Sequence, residues 1–188
     1  MALHFSEQEL ARRRAQACAQ MAKSDLDGLL IFRQESMFYL TGYDTFGYVF
    51  FQCLYLGVDG TMTLLTRAPD LRQARHTSVI EDIRIWVDGP DASPAVELAS
   101  ILEGHGLRGK RLGVEWESYG LTALNGQRLS AALDGLCLLE NASDLVSRLR
   151  LVKSPAEIAY VKRAAELADD AFDEAVALAG PGAFEGDI

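Results

Sequence analysis

The sequence predicts an α/β fold, a mixed sheet of roughly six strands with helices on both faces. Three observations carry this expectation. Helical patterns alternate with short apolar, β-branched or aromatic runs up to about residue 150, the order that builds a covered sheet. An Asp59-Gly60 pair separates two strand-like runs, the signature of an antiparallel hairpin, so the sheet is mixed and not all-parallel. The chain has 188 residues, 49% of them apolar and 24% charged, enough to bury a core without disulfide or metal staples.

Each element has a local signal. Ser6 and Glu9 form a capping box that opens a helix to about Lys23, with Leu10, Ala17 and Met21 inward. Asp27-Gly28 turns the chain into Leu29-Leu30-Ile31-Phe32, a buried strand. Tyr48 to Val58 is strand-like, with Met62 to Leu65 as its hairpin partner. Ala68 to about Thr77 reads as helix, and Ile83 to Val87 as strand. Ser93-Pro94 starts a helix that reaches about Glu103, and Arg111 to Val114 is a strand. Leu121 to Leu133 is a helix that stops at Gly135, and Leu136 to Leu139 is the last strand. Asn141 is expected to cap a short helix through Val146. Ser154, Pro155 and Glu157 then supply an N-cap, a proline at the first helical position and a capping-box glutamate. A domain boundary is expected near residues 148–154.

The net charge of −9 argues against nucleic-acid binding and against an anionic membrane surface. The one basic cluster, Arg12-Arg13-Arg14, lies in a helical pattern and reads as a solvated face. The N-terminus lacks a signal-peptide pattern, and no apolar run approaches a membrane span. Cys18, Cys53 and Cys137 match neither a disulfide framework nor a zinc site, and read as small buried hydrophobes in a reducing cytoplasm.

Most candidate chemistry fails on context. Gly104 to Gly109 matches G-x-G-x-x-G, but it follows a helix and precedes a strand, the reverse of a dinucleotide site. His4, His76 and His105 are scattered. Glu115 and Glu117 flank Trp116, and read as a strand end entering a solvated turn sooner than as a paired-carboxylate site. Asp169-Asp170 is an exposed helix edge. The remaining constellation runs from Tyr39 to Tyr48. Gly42 and Gly47 bracket a loop that carries Tyr43, Asp44, Phe46 and Tyr48. Such a loop either packs on its own core or walls an interface or binding site, and the pattern leaves both open.

Phe38-Tyr39-Leu40-Thr41-Gly42-Tyr43, placed after the first strand, resembles the Y-L-T-G-[FY] motif of creatinase/prolidase N-terminal domains. Leu151-Val152-Lys153-Ser154-Pro155-Ala156-Glu157-Ile158 resembles that family's [IV]-K-[ST]-x-x-E-[IL] junction, which opens the pita-bread metallopeptidase domain. The resemblance covers essentially the whole chain. It implies a ribonuclease H-like N-terminal domain over 1–150, with 151–188 the linker and first helix of a truncated pita-bread catalytic domain. It also implies a homodimer in which this domain overhangs the partner's active site, with Tyr43, Asp44, Phe46 and Tyr48 as substrate-gating residues. Creatinase has a similar Phe-Gly followed by a basic residue, where this chain has Tyr48.

The family's peptidases hold two divalent metals (Mn, Co or Zn) with two Asp, one His and two Glu, all in the pita-bread domain. No catalytic or metal-binding residue therefore carries over onto this chain, and creatinase-type relatives work without metal. The resemblance implies a parent hydrolase of Xaa-Pro dipeptidase or creatinase type, acting on a small peptide or an amidine-type substrate, with the 188-residue chain inactive alone. A stand-alone α/β small-molecule binding or regulatory module is the other reading, with the four loop residues lining a pocket within one chain. Ile158, Val161, Ala165, Ala168, Phe172, Val176 and Ala179 form an apolar stripe on the last helix, expected to pack on a catalytic domain.

Overall fold

Two antiparallel and three parallel pairings order the sheet. The computed structural model describes residues 3–47 and 49–188. Six strands, β1 (Gly28–Ile31), β2 (Cys53–Gly57), β3 (Met62–Arg67), β4 (Asp82–Trp86), β5 (Arg111–Val114) and β6 (Leu138–Asn141), lie in the order β4-β3-β2-β1-β5-β6. β2 runs antiparallel to β1 and β3, while β1–β5, β5–β6 and β3–β4 are parallel. All strands but β2 therefore point the same way. The β2–β3 hairpin turns at Gly60, whose φ of 90° only glycine adopts without strain.

Helices α1 (Glu7–Lys23), α2 (Gln34–Thr41), α3 (Leu71–Thr77), α4 (Pro94–Gly104), α5 (Ala123–Leu133) and α6 (Leu145–Leu151) accompany the sheet. Strand alternation divides the core. Leu29, Ile31, Leu54 and Leu64 pack with Ala17, Met21, Met37, Leu40, Ala74 and Val146, the face of α1, α2, α3 and α6. Leu30, Cys53, Leu65, Leu112 and Val114 pack with Leu98, Leu102, Leu129 and Leu133, the face of α4 and α5. The expected mixed, six-stranded, doubly covered sheet is the observed one.

The chain falls into two compact units, Met1–Arg150 and Leu151–Ile188. The second holds α7 (Pro155–Leu178), whose capping box is complete. Ser154 Oγ accepts from Glu157 N–H at 3.2 Å, and Glu157 Oε2 accepts from Ser154 N–H at 2.8 Å. No residue of α7 is buried.

Several expectations are corrected. β2 begins at Cys53, not near Tyr48, because the chain before it is committed to the loop. β6 is shifted to Leu138–Asn141. Asn141 does not cap a helix, since its Oδ1 accepts from the N–H and hydroxyl of Ser143, and α6 starts only at Leu145. The largest miss is α2, which turns Tyr39-Leu40-Thr41 into a helix end. Gly42 is its left-handed C-cap, with φ 80° and its N–H on Phe38 O at 2.8 Å.

Candidate functional site

The segment that leaves α2 alternates strictly in exposure. Tyr43, Thr45 and Gly47 are buried, while Asp44 and Phe46 are exposed. An extended backbone sends successive side chains to opposite sides, so one row anchors and the other is displayed. Tyr43 belongs to the core and anchors the loop without projecting from it; its hydroxyl lies 3.3 Å from Thr66 Oγ1, and burial pushes its pKa up. Phe46 is 86% exposed, with Val49 and Phe50 also outside. Tyr48 lies outside the described residues.

The anchored row stands on a buried polar network. Thr45 Oγ1 accepts from Gly47 N–H at 2.9 Å and from Gln52 Nε2 at 3.2 Å. The Gln52 amide also donates to Asp70 Oδ2 at 3.4 Å, which receives Arg67 Nε at 3.3 Å. The Arg67 guanidinium lies 3.3 Å from the centre of the Phe50 ring, a cation–π contact. A Cβ at Gly47 would stand 2.0 Å from Gln52 Nε2 and 2.6 Å from Asp70 Oδ2, so any larger residue there would displace this network. Beside the network, Trp86 Nε1 donates to Phe51 O at 2.9 Å.

Opposite charges from other elements clamp α2 at both ends. The first N–H groups of a helix lack intrahelical acceptors, and Arg33 provides no side-chain cap. Glu115, just past the neighbouring strand β5, holds the N-cap residue Arg33 and the residue before it. Its Oε2 accepts from Phe32 N–H at 3.1 Å and Arg33 N–H at 2.9 Å, and its Oε1 accepts from Ser36 Oγ at 2.6 Å. At the other end, Arg13 Nη1 donates to Tyr39 O at 3.1 Å and Arg14 Nη1 to Leu40 O at 3.0 Å. A carboxylate at the N-terminus and guanidinium groups at the C-terminus match the helix dipole.

Two sequence expectations change here. Glu115 is fully buried, not solvated, and burial raises its pKa against the pull of its three hydrogen bonds. Glu117 is exposed, so the two do not form a carboxylate pair. Within the arginine run, Arg13 is 1% exposed. Its charge is met by Glu9 at 3.1 Å and by the Phe5 and Tyr39 rings, 4.0 and 4.5 Å from its guanidinium carbon. No local sequence signal marks these roles, because the group each residue serves lies far away in the chain.

The loop sits where the five co-directional strands end, the edge at which open α/β sheets take ligands. Among the described residues, no three His, Cys, Asp or Glu side chains come together in a group that could hold a metal ion. Burial raises the pKa of all three thiols, Cys53 most strongly. His105 Nε2 meets Thr63 Oγ1 at 2.8 Å, and His4 packs by Phe38. Gly106 and Gly109 have positive φ and join α4 to β5, as expected of a connection and not of a nucleotide loop. A polar groove of about 670 Å³, lined by Gln20, Arg111, Glu140, Ser143, Asp144 and Arg148 among others, lies away from the loop. No helix among the described residues is long and apolar enough to cross a membrane.

Comparison with known proteins agrees with this architecture. Residues 13–152 match the Creatinase/Prolidase N-terminal domain family. The chain is 31% identical over 193 aligned positions to the uncharacterized hydrolase/peptidase y4tM of Sinorhizobium fredii, covering 99% of this chain and 49% of that protein. It is 30% identical over 174 positions to the ectoine hydrolase of Halomonas elongata, covering 89% of this chain and 43% of that protein. Among solved structures, the prolidase of Thermococcus sibiricus superposes with a TM-score of 0.77 at 21% identity, over 93% of this chain and 46% of that one. The chain thus spans about half the length of the curated relatives it matches. With its sheet order, its Tyr39-Leu40-Thr41-Gly42 helix end and this match in hand, the chain belongs to the creatinase/prolidase N-terminal domain family.

Proposed function

We propose that this chain is the non-catalytic N-terminal domain of a cytoplasmic, homodimeric hydrolase, and that its α2–β2 loop covers the partner subunit's active site. The observation that carries the reading is the loop itself, a segment fastened through Thr45 and Gly47 that leaves Phe46 86% exposed. An isolated domain gains nothing by fixing a bare aromatic in water, whereas a surface that meets another subunit does. Of the four residues named from the sequence, Asp44 and Phe46 are the described ones exposed to reach outward, with Tyr48 beside them in sequence.

The catalytic chemistry of such a hydrolase belongs to residues beyond this domain. In its peptidase form a divalent metal (Mn, Co or Zn) would be held there, and residues 151–188 would be the linker and first helix of that domain. The substrate class is a small peptide of Xaa-Pro type or an amidine-type compound, and the relatives' names, hydrolase/peptidase and ectoine hydrolase, support that range. A ligand pocket within one chain has less support, because Tyr43 is sealed in the core while Phe46 projects away from it.

The test is Phe46→Ala in the full-length protein. We expect kcat/KM to fall by about tenfold or more, the loss of one well-placed apolar contact of ~1.5–3 kcal/mol, with the melting temperature unchanged. Wild-type kinetics in that variant would remove the covering role. Turnover of Xaa-Pro dipeptides by the 188-residue chain alone would remove the non-catalytic assignment.

A further inference from the structure

We infer that Glu115 is a positioning residue for the displayed loop, acting through the first turn of α2; the importance of that loop rests on the function proposed above. Glu115 and Phe46 are linked by short steps. The Glu115 carboxylate holds the backbone N–H of Arg33 at 2.9 Å. Gln34, the next residue and the first of α2, donates from Nε2 to Thr45 O at 2.5 Å. Thr45 is the anchored residue between Asp44 and Phe46. The end of α2 that Glu115 grips is therefore the end that grips the middle of the loop.

The other attachments reinforce this route. Thr41, at the far end of α2, accepts Tyr43 N–H on its Oγ1 at 3.1 Å while donating to Met37 O at 2.6 Å. A helix of eight residues has about two turns and cannot hold its own axis in water, so its direction is set by what grips its ends. Removing the Glu115 carboxylate would leave two N–H groups and the Ser36 hydroxyl without that acceptor in a buried site, a condition the first turn relieves only by moving. Any such movement carries Gln34, and with it Thr45. Gln at position 115 would keep an acceptor for the N–H groups and a donor for Ser36 Oγ, so it should preserve the relay.

The test uses the 188-residue chain with 4-fluorophenylalanine at position 46, read by fluorine NMR, together with amide exchange at Gly47, whose N–H bonds Thr45 Oγ1. Glu115→Ala and Gln34→Ala should each broaden or split the fluorine line and speed Gly47 exchange by about tenfold or more. Glu115→Gln should restore both. Leu102→Ala, a cavity on the opposite face of the sheet, should lower stability without moving either signal. A Glu115→Ala chain whose signals match those of Leu102→Ala overturns the inference, and if Glu115→Ala does not fold, an unmoved signal in Gln34→Ala overturns it equally. None of these readouts needs catalysis, so failure here is separable from failure of the covering role, which the Phe46→Ala kinetics decide.

Discussion

Glu115 carries a charge into the core and spends it on a helix end. Burial outweighs its three hydrogen bonds, so its folded-state pKa stands above the ordinary 4.5. A raised carboxyl pKa means that its stabilising contribution is full below the unfolded value and is lost as pH rises through the folded one. Ser36 can accommodate the proton, because its hydroxyl can accept as well as donate. Glu115→Gln cannot titrate and shares every other acid-sensitive group with the wild type. Urea unfolding of both at pH 4.5 and pH 7 should therefore show the wild type gaining stability relative to the variant on acidification. A relative loss would mean that hydrogen bonding, and not burial, dominates at this site.

At the level of elements, legibility followed locality. α1, α4, α5, β1, β3 and β5 announce themselves through caps, apolar runs and turns within a few residues, and they lie close to where the sequence placed them. α2 does not. Ser36, Met37, Tyr39, Leu40 and Thr41 are all buried, so the helix presents no polar stripe to reveal its period, and Arg33 gives it no side-chain cap. Besides the Gly42 C-cap, its ends are held by Arg13, Arg14 and Glu115, and this is also why those charges read as solvated. The loop was legible as a loop, but its division into anchored and displayed rows required knowledge of where α2 ends. α7 is the opposite case, with every start signal local. Ser154→Ala should cost its first turn about 1 kcal/mol, seen as roughly fivefold faster amide exchange at residues 157–160, with residues 10–150 unaffected. Unchanged exchange there would show that Pro155 and Glu157 suffice without the serine.

The Met1–Arg150 unit combines a three-layer support with a displayed loop. Helices cover both faces of the sheet, five strands end at one edge, and the loop between α2 and β2 is fastened at that edge by Thr45, Gln52, Asp70 and Arg67. Family membership follows from the match over residues 13–152, and the chain covers about half of its curated relatives. The chain divides at Arg150 into two compact units; a supporting domain followed by the beginning of a catalytic one is the organisation proposed above. The central claim is that the support exists to hold Phe46 against a neighbouring subunit. A photo-reactive benzoylphenylalanine at position 46 of the full-length protein tests it most directly. Irradiation should give a covalent dimer, with the crosslink in the partner's catalytic half and suppressed by substrate. A crosslink confined to one chain, or one that substrate leaves unchanged, would contradict it.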